Sequence, residues 1–367
     1  MKILAIETSC DDTSIAIIEA KKKYFFDILS NVVSSQVNIH KKWGGVYPTL
    51  AKREHQKNLV PVLKKALKEA NLLQLNKIKE EKIKIIKKIL EREPKLLNSF
   101  IKDIAKIKKP DIEALAVTVG PGLEPCLWAG INFAKALSFC WEIPEIPVNH
   151  IEAHILSAFA NKNKVKFPAI CLIASGGHTQ LILMKKINNY KILGETRDDA
   201  AGECLDKTAR ILGLDYPGGP IIERRAKEAS NKIEINLPRP MINTKDYDFS
   251  FSGLKTAVLY ESKNKRKTKN YVNKMCKEIQ QAVIDVLIKK TKKAKEEHNA
   301  KTVILGGGVT ANKELRKQIK KVLPETILPD PKLCTDNAVM VAIAAYFNKK
   351  SKKDYKNIKA KANLRIS

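Results

Sequence analysis

The sequence lacks any stretch that is long and apolar enough to cross a membrane. No run reaches the eighteen or more uncharged apolar residues that a transmembrane helix requires. A leader-like segment is also missing, since Met1-Lys2 runs directly into the apolar segment Ile3-Leu4-Ala5-Ile6. From these features we expect a cytoplasmic protein without a membrane partner.

Cysteine pairs and arginine are scarce as well. The seven cysteines are scattered without a Cys-x-x-Cys pair, so we expect reduced thiols that mostly pack in the interior. Only ten of the 68 basic residues are arginine, yet the formal net charge is +29. Such a charge predicts attraction to a polyanion, with nucleic acid as the first candidate. Because an AT-rich genome also enriches lysine, composition alone leaves a nucleic-acid surface open.

Two sequence patterns occur twice along the chain. Residues 3–18, ILAIETSCDDTSIAII, form two apolar runs around a polar turn, and residues 169–184, AICLIASGGHTQLILM, repeat this pattern. Each run is typical of a β-hairpin with a polar turn. A strand, a glycine turn and a helix then follow in each half, at residues 114–122 and again at residues 302–308. The repeat predicts a duplicated α/β protein with two lobes.

The four turns of this repeat predict a nucleotide site. Turns present backbone N–H groups, and glycine, which lacks a Cβ, lets phosphate oxygens come close to the backbone. Two lobes that face each other bring all four turns to one cleft. We therefore expect a nucleotide cleft between a first lobe at residues 1–149 and a second lobe at residues 150–348, followed by a loose basic tail at residues 349–367.

A helical insertion near residues 73–109 interrupts the first lobe. Its apolar residues recur at helical spacing, and Pro94 should break the helical region in two. The insertion is either a basic arm for RNA or an amphipathic element packed on the first lobe. We favour packing, because the lysines are interleaved with glutamates as on a solvated face. The apolar positions are Ile78, Ile85, Ile89, Leu97, Ile101 and Ile104.

His150 and His154 are candidate metal ligands within the motif HIEAH. Side chains four residues apart lie on one face of a helix, and two imidazoles can bind one zinc or iron ion. The alternative is a pair of buried, hydrogen-bonded histidines. Asp336 precedes the apolar helical segment Ala338–Phe347. It is a candidate third ligand, but it could equally cap that helix.

A second candidate region lies between Arg197 and Pro220, where four carboxylates occur within nine residues. Glu203 and Asp206 share a helix face, from which they could accept hydrogen bonds from ribose hydroxyls or bind a metal. Asp198 and Asp199 are equally typical of the first turn of a helix. The residues do not identify a general base, and the catalytic residues stay unknown.

Ten motifs together closely resemble the bacterial TsaD family, and they span nearly the whole chain in order. They are IETSCDDTSIAI at 6–17, GGVYPTLAKREH at 44–55, GPGL at 120–123, HIEAH at 150–154, SGGHTQL at 175–181, DDAAGECLDKTARILGLDYPGGP at 198–220, LPRP at 237–240, DFSFSGLKT at 248–256, GGGVTAN at 306–312 and CTDNAVM at 334–340. Asp12, Ala153 and the segment Glu124–Trp128 depart from the family pattern.

The resemblance implies an actin/Hsp70/sugar-kinase-like (ASKHA) fold. It also implies transfer of the threonylcarbamoyl group of threonylcarbamoyl-AMP to the exocyclic amine of adenosine 37, in tRNAs that read codons beginning with adenine. One divalent metal per chain, iron(II) or alternatively zinc, is implied on His150, His154 and Asp336. The implied substrate contacts are Ile173, Ala174, Ser175, Gly176, Gly177, Asp206, Gly219 and Asn312.

The resemblance further implies a TsaB-like paralogue and a TsaE-like ATPase as partners, and apolar faces on first-lobe helices would fit such a partner. Two other functions stay open. A zinc-type metallopeptidase would need a glutamate directly after the first histidine, whereas Glu152 is two positions on, about 200° round the helix. A small-molecule kinase of the same fold would not need the histidine pair.

Overall fold

The computed structural model describes residues 1–22, 24–75, 80–160, 165–230 and 235–367. The chain divides into two compact units. The first unit comprises residues 1–38, 46–162 and 336–366, and the second comprises residues 39–45 and 163–335 together with Ser367. These bounds differ from the expected lobe boundary at 149/150, because residues 150–162 and 336–366 pack with the first unit.

The described residues form ten strands and twelve α-helices. The strands are β1 (Lys2–Glu7), β2 (Asp12–Lys22), β3 (Phe25–Ser35), β4 (Ala114–Gly120), β5 (Glu145–Asn149), β6 (Ala169–Ala174), β7 (Thr179–Lys186), β8 (Asn189–Glu195), β9 (Thr302–Gly306) and β10 (Thr326–Ile327). The helices are α1 (Val37–His40), α2 (Pro48–Glu69), α3 (Glu80–Ile89), α4 (Pro94–Ser99), α5 (Glu124–Trp141), α6 (His150–Leu156), α7 (Ala201–Ile211), α8 (Gly218–Lys227), α9 (Ser252–Ser262), α10 (Lys269–Glu297), α11 (Lys313–Val322) and α12 (Ala338–Phe347). None of the described helices could span a membrane.

The first unit is built on a five-stranded sheet with the order β3-β2-β1-β4-β5. Strands β1, β2 and β3 run antiparallel, whereas β4 pairs in parallel with β1 and β5 in parallel with β4. Every residue of β4 is buried, as expected for a parallel strand covered on both faces. Leu4 and Ile6 join the core formed with α2 and α5, while α12 contacts β1 and β2.

The second unit repeats this arrangement. Its sheet has the order β10-β9-β6-β7-β8, in which β6 and β7 form an antiparallel hairpin and β9 is parallel to β6. The long helix α10 contributes a stripe of apolar residues to a core that also includes α7 and α8. The predicted hairpins and the following parallel strands are therefore confirmed in both units, and so is the α/β class.

The insertion in the first unit is helical and packed. Helix α3 ends at Ile89, and Pro94 opens α4 at a position where the missing N–H is not needed, so the region divides at Pro94 as predicted. The predicted apolar stripe is confirmed only in part. Ile104 is fully buried, and Ile89 and Leu97 are partly buried against the core of the first unit. Ile85, in contrast, is 43% exposed, and the other fully buried side chains are Ile86, Leu90, Leu96 and Phe100.

The helical phase explains this difference. The region comprises two short helices and a π-helical turn at Phe100–Ile104, so each piece starts its own phase and no single stripe runs through it. Ile78, another residue of the predicted stripe, lies outside the described residues. The buried side chains join the core of the first unit, which favours packing over an extended basic arm.

The expectation of a loose basic tail is wrong. Lys353 pairs with Glu145 as an isolated β-bridge, and the backbone N–H of Lys361 donates to the Val119 carbonyl at 2.7 Å. Ile358 is only 2% exposed and belongs to the core of the first unit. The lysines of this segment point to solvent, but its apolar residues anchor it.

Candidate functional site

The histidine pair is placed by the junction between β5 and α6. Asn149, the last residue of β5, caps the helix, and its Oδ1 accepts hydrogen bonds from the backbone N–H groups of Ile151 at 2.8 Å and Glu152 at 3.1 Å. The cap makes His150 the first helical residue, so His154 lies one turn further on the same face. Both histidines are buried, with ring centroids 4.6 Å apart.

Asp336 meets both rings, although it lies far along the chain. Its Oδ1 is 3.2 Å from His154 Nε2 and 3.6 Å from His150 Nε2. The cap of helix α12 is Asn337, whose side chain accepts a hydrogen bond from Met340 N at 3.1 Å. Asp336 is therefore not that cap, and of its two possible roles the structure supports the one beside the histidines.

Glu7 completes the surroundings of His150, a role that no sequence motif predicted. Its Oε2 lies 3.2 Å from His150 Nδ1 and accepts a hydrogen bond from Thr118 Oγ1 at 2.7 Å. Ser9 Oγ also lies 3.2 Å from His150 Nδ1. Glu7 is fully buried at the end of β1. Burial of a carboxylate costs free energy unless it is paired. The acidic residue directly after the apolar run of β1 was therefore the one sequence signal for a partner at this position.

The charges at this site are strongly linked. Burial by itself disfavours the imidazolium form, but the charges of Asp336 and Glu7 outweigh burial and raise the pKa of His150 to about 9. Burial would raise the pKa of Glu7, yet the neighbouring His150 holds it below its usual value. For His154, burial and the charge of His150 lower the pKa. Without a metal, protonated His150 therefore balances the negative charge of the buried Glu7 and of the partly exposed Asp336.

The arrangement fits a divalent metal. His150, His154 and Asp336 each offer one ligand atom, and these atoms lie within 4.8 Å of one another. Ligands about 2.1 Å from one ion lie roughly 3 to 3.5 Å apart, which is close to the two separations from Asp336. Glu7 holds His150 through Nδ1 and so directs Nε2 to the ion, as in carboxylate–histidine–metal sites. Two nitrogens and one oxygen suit iron or zinc.

The substrate residues implied by the resemblance all lie in the second unit, and most surround one hairpin turn. Ile173 and Ala174 are fully buried at the end of β6, so only the turn after them is accessible. A Cβ placed on Gly176 or Gly177 would meet nothing within 4 Å. This turn leaves the open space that a ligand needs.

Neighbouring elements support the same turn. Gly202 on α7 donates its N–H to the Ser175 carbonyl at 3.0 Å, and a Cβ on it would lie 2.6 Å from that oxygen. Gly307, at the end of β9, has φ +88° and packs as closely on Ala174. Close packing here requires glycine at both positions.

Asp206, Gly219 and Asn312 have local structural roles as well. Asp206 Oδ1 accepts a hydrogen bond from Gly218 N at 2.7 Å, which ties α7 to the first turn of α8, where Gly219 lies. Asn312 caps α11, and its amide Nδ2 donates to Gln280 Oε1 at 2.8 Å. Each is partly exposed, so these roles leave surface for a ligand.

The other carboxylates of this region serve the fold. Asp198 accepts hydrogen bonds from Phe251 N at 2.8 Å and from the Ser250 and Ser252 hydroxyls. Glu203 accepts from Ala200 N at 3.3 Å and pairs with Lys207 at 2.8 Å. Only Asp206 of the predicted carboxylate pair faces the glycine turn of α8.

The glycine turn of the first unit is not open in the predicted way. A Cβ on Gly120 would lie 1.9 Å from the Lys361 carbonyl, and one on Gly122 would lie 2.6 Å from the Ser9 carbonyl. The space beside these glycines is filled by the chain's own backbone rather than left for a phosphate. The expectation of four equivalent phosphate turns is therefore wrong, because backbone also fills the space beside Gly307 in the second glycine turn.

Two sheets of the same topology, each with a hairpin followed by parallel strands and helices, define the duplicated α/β class of actin, Hsp70 and sugar kinases. Solved structures agree with this class at the level of the fold. Component A of the (R)-2-hydroxyglutaryl-CoA dehydratase of Acidaminococcus fermentans matches with a TM-score of 0.52 and 14% identity, over 96% of this chain and 99% of that chain. Full-length HypF matches with a TM-score of 0.52 and 13% identity, over 95% of this chain and 55% of that chain.

Sequence relatives give the family. The TsaD family, described as tRNA N6-adenosine threonylcarbamoyltransferase, matches residues 27–80 and 87–343. A protein of that name from Persephonella marina is 44% identical over 353 residues, covering 94% of this chain and 90% of the relative. One from Thermosipho africanus is 42% identical over 371 residues, covering 100% of both. The chain belongs to the TsaD family of tRNA-modifying transferases.

Proposed function

We propose that this chain transfers the threonylcarbamoyl group of threonylcarbamoyl-AMP to the exocyclic amine of adenosine 37, in tRNAs that read codons beginning with adenine. Membership of the TsaD family carries the proposal, since relatives matching over 94% and 100% of the chain are named for tRNA N6-adenosine threonylcarbamoyl transfer. The cluster of the buried His150 and His154 with the partly exposed Asp336 supports a metal-assisted reaction.

The chemistry sets the demands on the protein. An adenine amine is a weak nucleophile because its lone pair is delocalised into the ring, so the acyl carbon must be strongly electrophilic. In the transfer, a bond forms between N6 and the carbamoyl carbon, the bond from that carbon to the phosphate oxygen breaks, and AMP leaves. The amine gives up one proton to a base that the residues do not identify.

In the first unit, His150, His154 and Asp336 would hold the metal, which when bound supplies Lewis-acid stabilisation of negative charge. Glu7 would keep His150 oriented with Nε2 toward the ion. When no metal is bound and His150 is protonated, the Glu7 carboxylate would balance its positive charge. Iron(II) is the metal we propose, because the donor set of two imidazoles and one carboxylate suits it, with zinc as the competitor.

In the second unit, the turn Ser175–Gly177 would bind the adenylate through backbone N–H groups. Open space at Gly176 and Gly177 supports this role. Backbone donors fixed before the reaction stabilise developing charge without reorganisation. Asp206, Gly219 and Asn312 would position the adenosine part.

The peptidase alternative loses support. Glu152, the only glutamate within the histidine motif, accepts a hydrogen bond from Asn348 Nδ2 at 2.7 Å and is 8% exposed. A metallopeptidase requires its glutamate to activate water at the metal. This carboxylate is instead committed to the end of α12, on the side of the helix away from the ligands.

We further propose that the chain acts with a TsaB-like paralogue and a TsaE-like ATPase. Family membership supports this proposal, but the apolar-face argument for it is wrong. Helices α2 and α5 have none of the large exposed apolar residues among the described positions; Ile85 on α3 is the exception among the helices of the first unit. Their apolar faces are covered within the chain, so at the described positions these two helices leave no exposed apolar face for a partner.

Mass spectrometry of tRNA nucleosides tests the function. The purified chain is incubated with tRNA and excess threonylcarbamoyl-AMP, with and without the partners, and threonylcarbamoyl-adenosine is quantified. The His154→Gln variant serves as the control that lacks one metal ligand. Product that depends on His154 supports the transferase. No product in any combination would overturn it, and sustained turnover by the chain alone would overturn the partner requirement.

A further inference from the structure

A basic segment links α9 to α10 in the second unit. Residues 262–277 contain seven basic residues and no acidic residue: Lys263, Lys265, Arg266, Lys267, Lys269, Lys274 and Lys277. In the insertion of the first unit, by contrast, lysines are interleaved with glutamates. A run of one sign repels itself, so a folded chain gains nothing from it unless an anion binds there.

The segment is exposed, and two of its cations anchor it. All residues from Lys263 to Asn270 are exposed. Lys267 Nζ donates to the Ile211 carbonyl at 2.6 Å, and Lys269 Nζ lies 3.4 Å from Glu228. These contacts fix the segment against the ends of α7 and α8. Of the five basic residues from Lys263 to Lys269, the other three form no ion pair within the described part of the chain: Lys263, Lys265 and Arg266.

Helix stability does not explain these charges. Thr268 caps α10, a helix of 29 residues, through a hydrogen bond from Tyr271 N at 3.3 Å. The amino end of a helix carries partial positive charge, so Lys269 at the first position is unfavourable for the helix. Helix dipole and side chains therefore add to one positive potential, which attracts an anion and repels a cation.

Aromatic and apolar surface borders the cations. On the last turns of α9, Tyr260 is 68% exposed and Leu259 is 50% exposed. Cations that meet phosphates, beside an aromatic ring on which a base can stack, are the combination that binds nucleic acid with unpaired bases. A phosphorylated small molecule would not need a segment this long.

We propose that residues 262–269, here called the basic segment, contact the tRNA substrate together with the neighbouring Tyr260. Lys263, Lys265 and Arg266 meet backbone phosphates, and Tyr260 stacks on an unpaired base. The inference rests on the proposed function only in taking tRNA as the substrate. It assigns the contact to the second unit, and not to the insertion of the first.

The test compares two triple variants of the full chain. The first, Lys263→Ala/Lys265→Ala/Arg266→Ala, leaves the anchoring Lys267 and Lys269 intact. The second, Lys84→Ala/Lys87→Ala/Lys88→Ala, removes the same charge from exposed positions of α3. Binding of tRNA is titrated at several salt concentrations. We expect the first variant to bind about tenfold more weakly or worse, with a salt slope smaller by roughly 2 to 3, because three phosphate contacts are lost. The second should stay within about twofold of the parent.

Tyr260→Ala gives an independent readout. Loss of a stacked base should weaken tRNA binding by at least about fivefold while leaving the salt slope unchanged. At saturating tRNA, the first triple variant should form product at the parent rate, since no catalytic group is touched. Thermal unfolding of all variants confirms that each is folded.

The possible outcomes distinguish the tRNA contact of the basic segment from the proposed transferase function. If the first triple variant binds tRNA like the parent, the proposal that the basic segment contacts tRNA is overturned. A larger loss of affinity in the α3 variant also overturns it, because the contact would then lie in the insertion. If the first triple variant loses the same affinity for tRNA and for a DNA duplex with as many phosphates, the basic segment is a general polyanion surface, and this result overturns the tRNA assignment. If the parent chain makes no product yet the first variant still loses tRNA selectively, the proposed function fails and the segment stands.

Discussion

The carboxylate of Glu7 lies 3.2 Å from His150 Nδ1, on the side of the ring opposite the Nε2 that faces Asp336. The contact fixes both the orientation of the ring and the nitrogen left for a metal. Because Glu7 ends β1 and His150 begins α6, the sheet of the first unit directly positions His150, the proposed metal ligand.

Replacement of Glu7 should weaken metal binding without removing a ligand. Glu7→Gln keeps the shape but loses the charge that supports His150, and we expect metal affinity to fall about 10- to 100-fold. Competitive metal titration measures this. Glu152→Gln is the matched control, since it changes another buried glutamate beside the same helix but not at the ligands. An equal loss in both variants would contradict the role of Glu7.

The two histidines should differ when removed. His154→Gln should lose the metal and the activity because one ligand of three is gone, and in metal-free protein it should change stability little. His150→Ala should lose both and also unfold more readily, by roughly 3 to 5 kcal/mol, since it leaves Glu7 buried without its cationic partner. Metal analysis and urea unfolding measure the two effects. Full metal occupancy in either variant would rule out the assignment.

The phase of the insertion can be tested with adjacent residues. Ile86→Ala should destabilise the chain by about 2 to 5 kcal/mol because it opens a cavity in the core of the first unit. Ile85→Ala changes the same residue type at an exposed position and should cost less than about 0.5 kcal/mol. Chemical unfolding gives both values. Similar losses of unfolding free energy in the two variants would mean that Ile85 belongs to the buried apolar face of α3.

Stability should fall as the pH rises, owing to Glu145. Both of its carboxyl oxygens are buried without a hydrogen-bond partner among the described residues, and burial raises its pKa from 4.5 to about 8 against the charge of Lys135. The folded state therefore holds the proton more tightly than the unfolded state. The stabilisation is complete below about pH 4.5 and is lost as the pH rises toward 8.

Glu145→Gln measures that contribution. Relative to the variant, the parent should lose roughly 3 to 5 kcal/mol of unfolding free energy between these limits. Urea unfolding of both proteins across this range gives the difference. Glu142→Gln, which changes an exposed neighbour paired with Lys82, should follow the parent. A pH-independent difference between the parent and Glu145→Gln would refute the raised pKa of Glu145.

The sequence predicted those features that local pattern determines. Alternating apolar residues define each hairpin, and the spacing of His150 and His154 places both on one helix face. The role of Glu7 was not predictable in this way, because it depends on the pairing of β1 with β4 and on the entry of the chain into α6. The buried face of the insertion was predicted wrongly at Ile85, because each short helix begins its own helical phase.

The glycines illustrate the same limit. A sequence shows that Gly120 and Gly177 lack side chains, but not what fills the space beside them. The Lys361 carbonyl occupies that space at Gly120, whereas nothing lies within 4 Å at Gly177. A segment more than two hundred residues away along the chain decides which glycine turn can receive a ligand.

The composition of the first unit also sets an order of events during synthesis. Its first residues leave the ribosome early, but its residues 336–366 follow the whole of the second unit. The second unit can therefore fold while the first still lacks α12 and Asp336. A nascent chain that has reached residue 335 holds His150 and His154 without Asp336, so the proposed metal site becomes complete only after residues 163–335 of the second unit have been made.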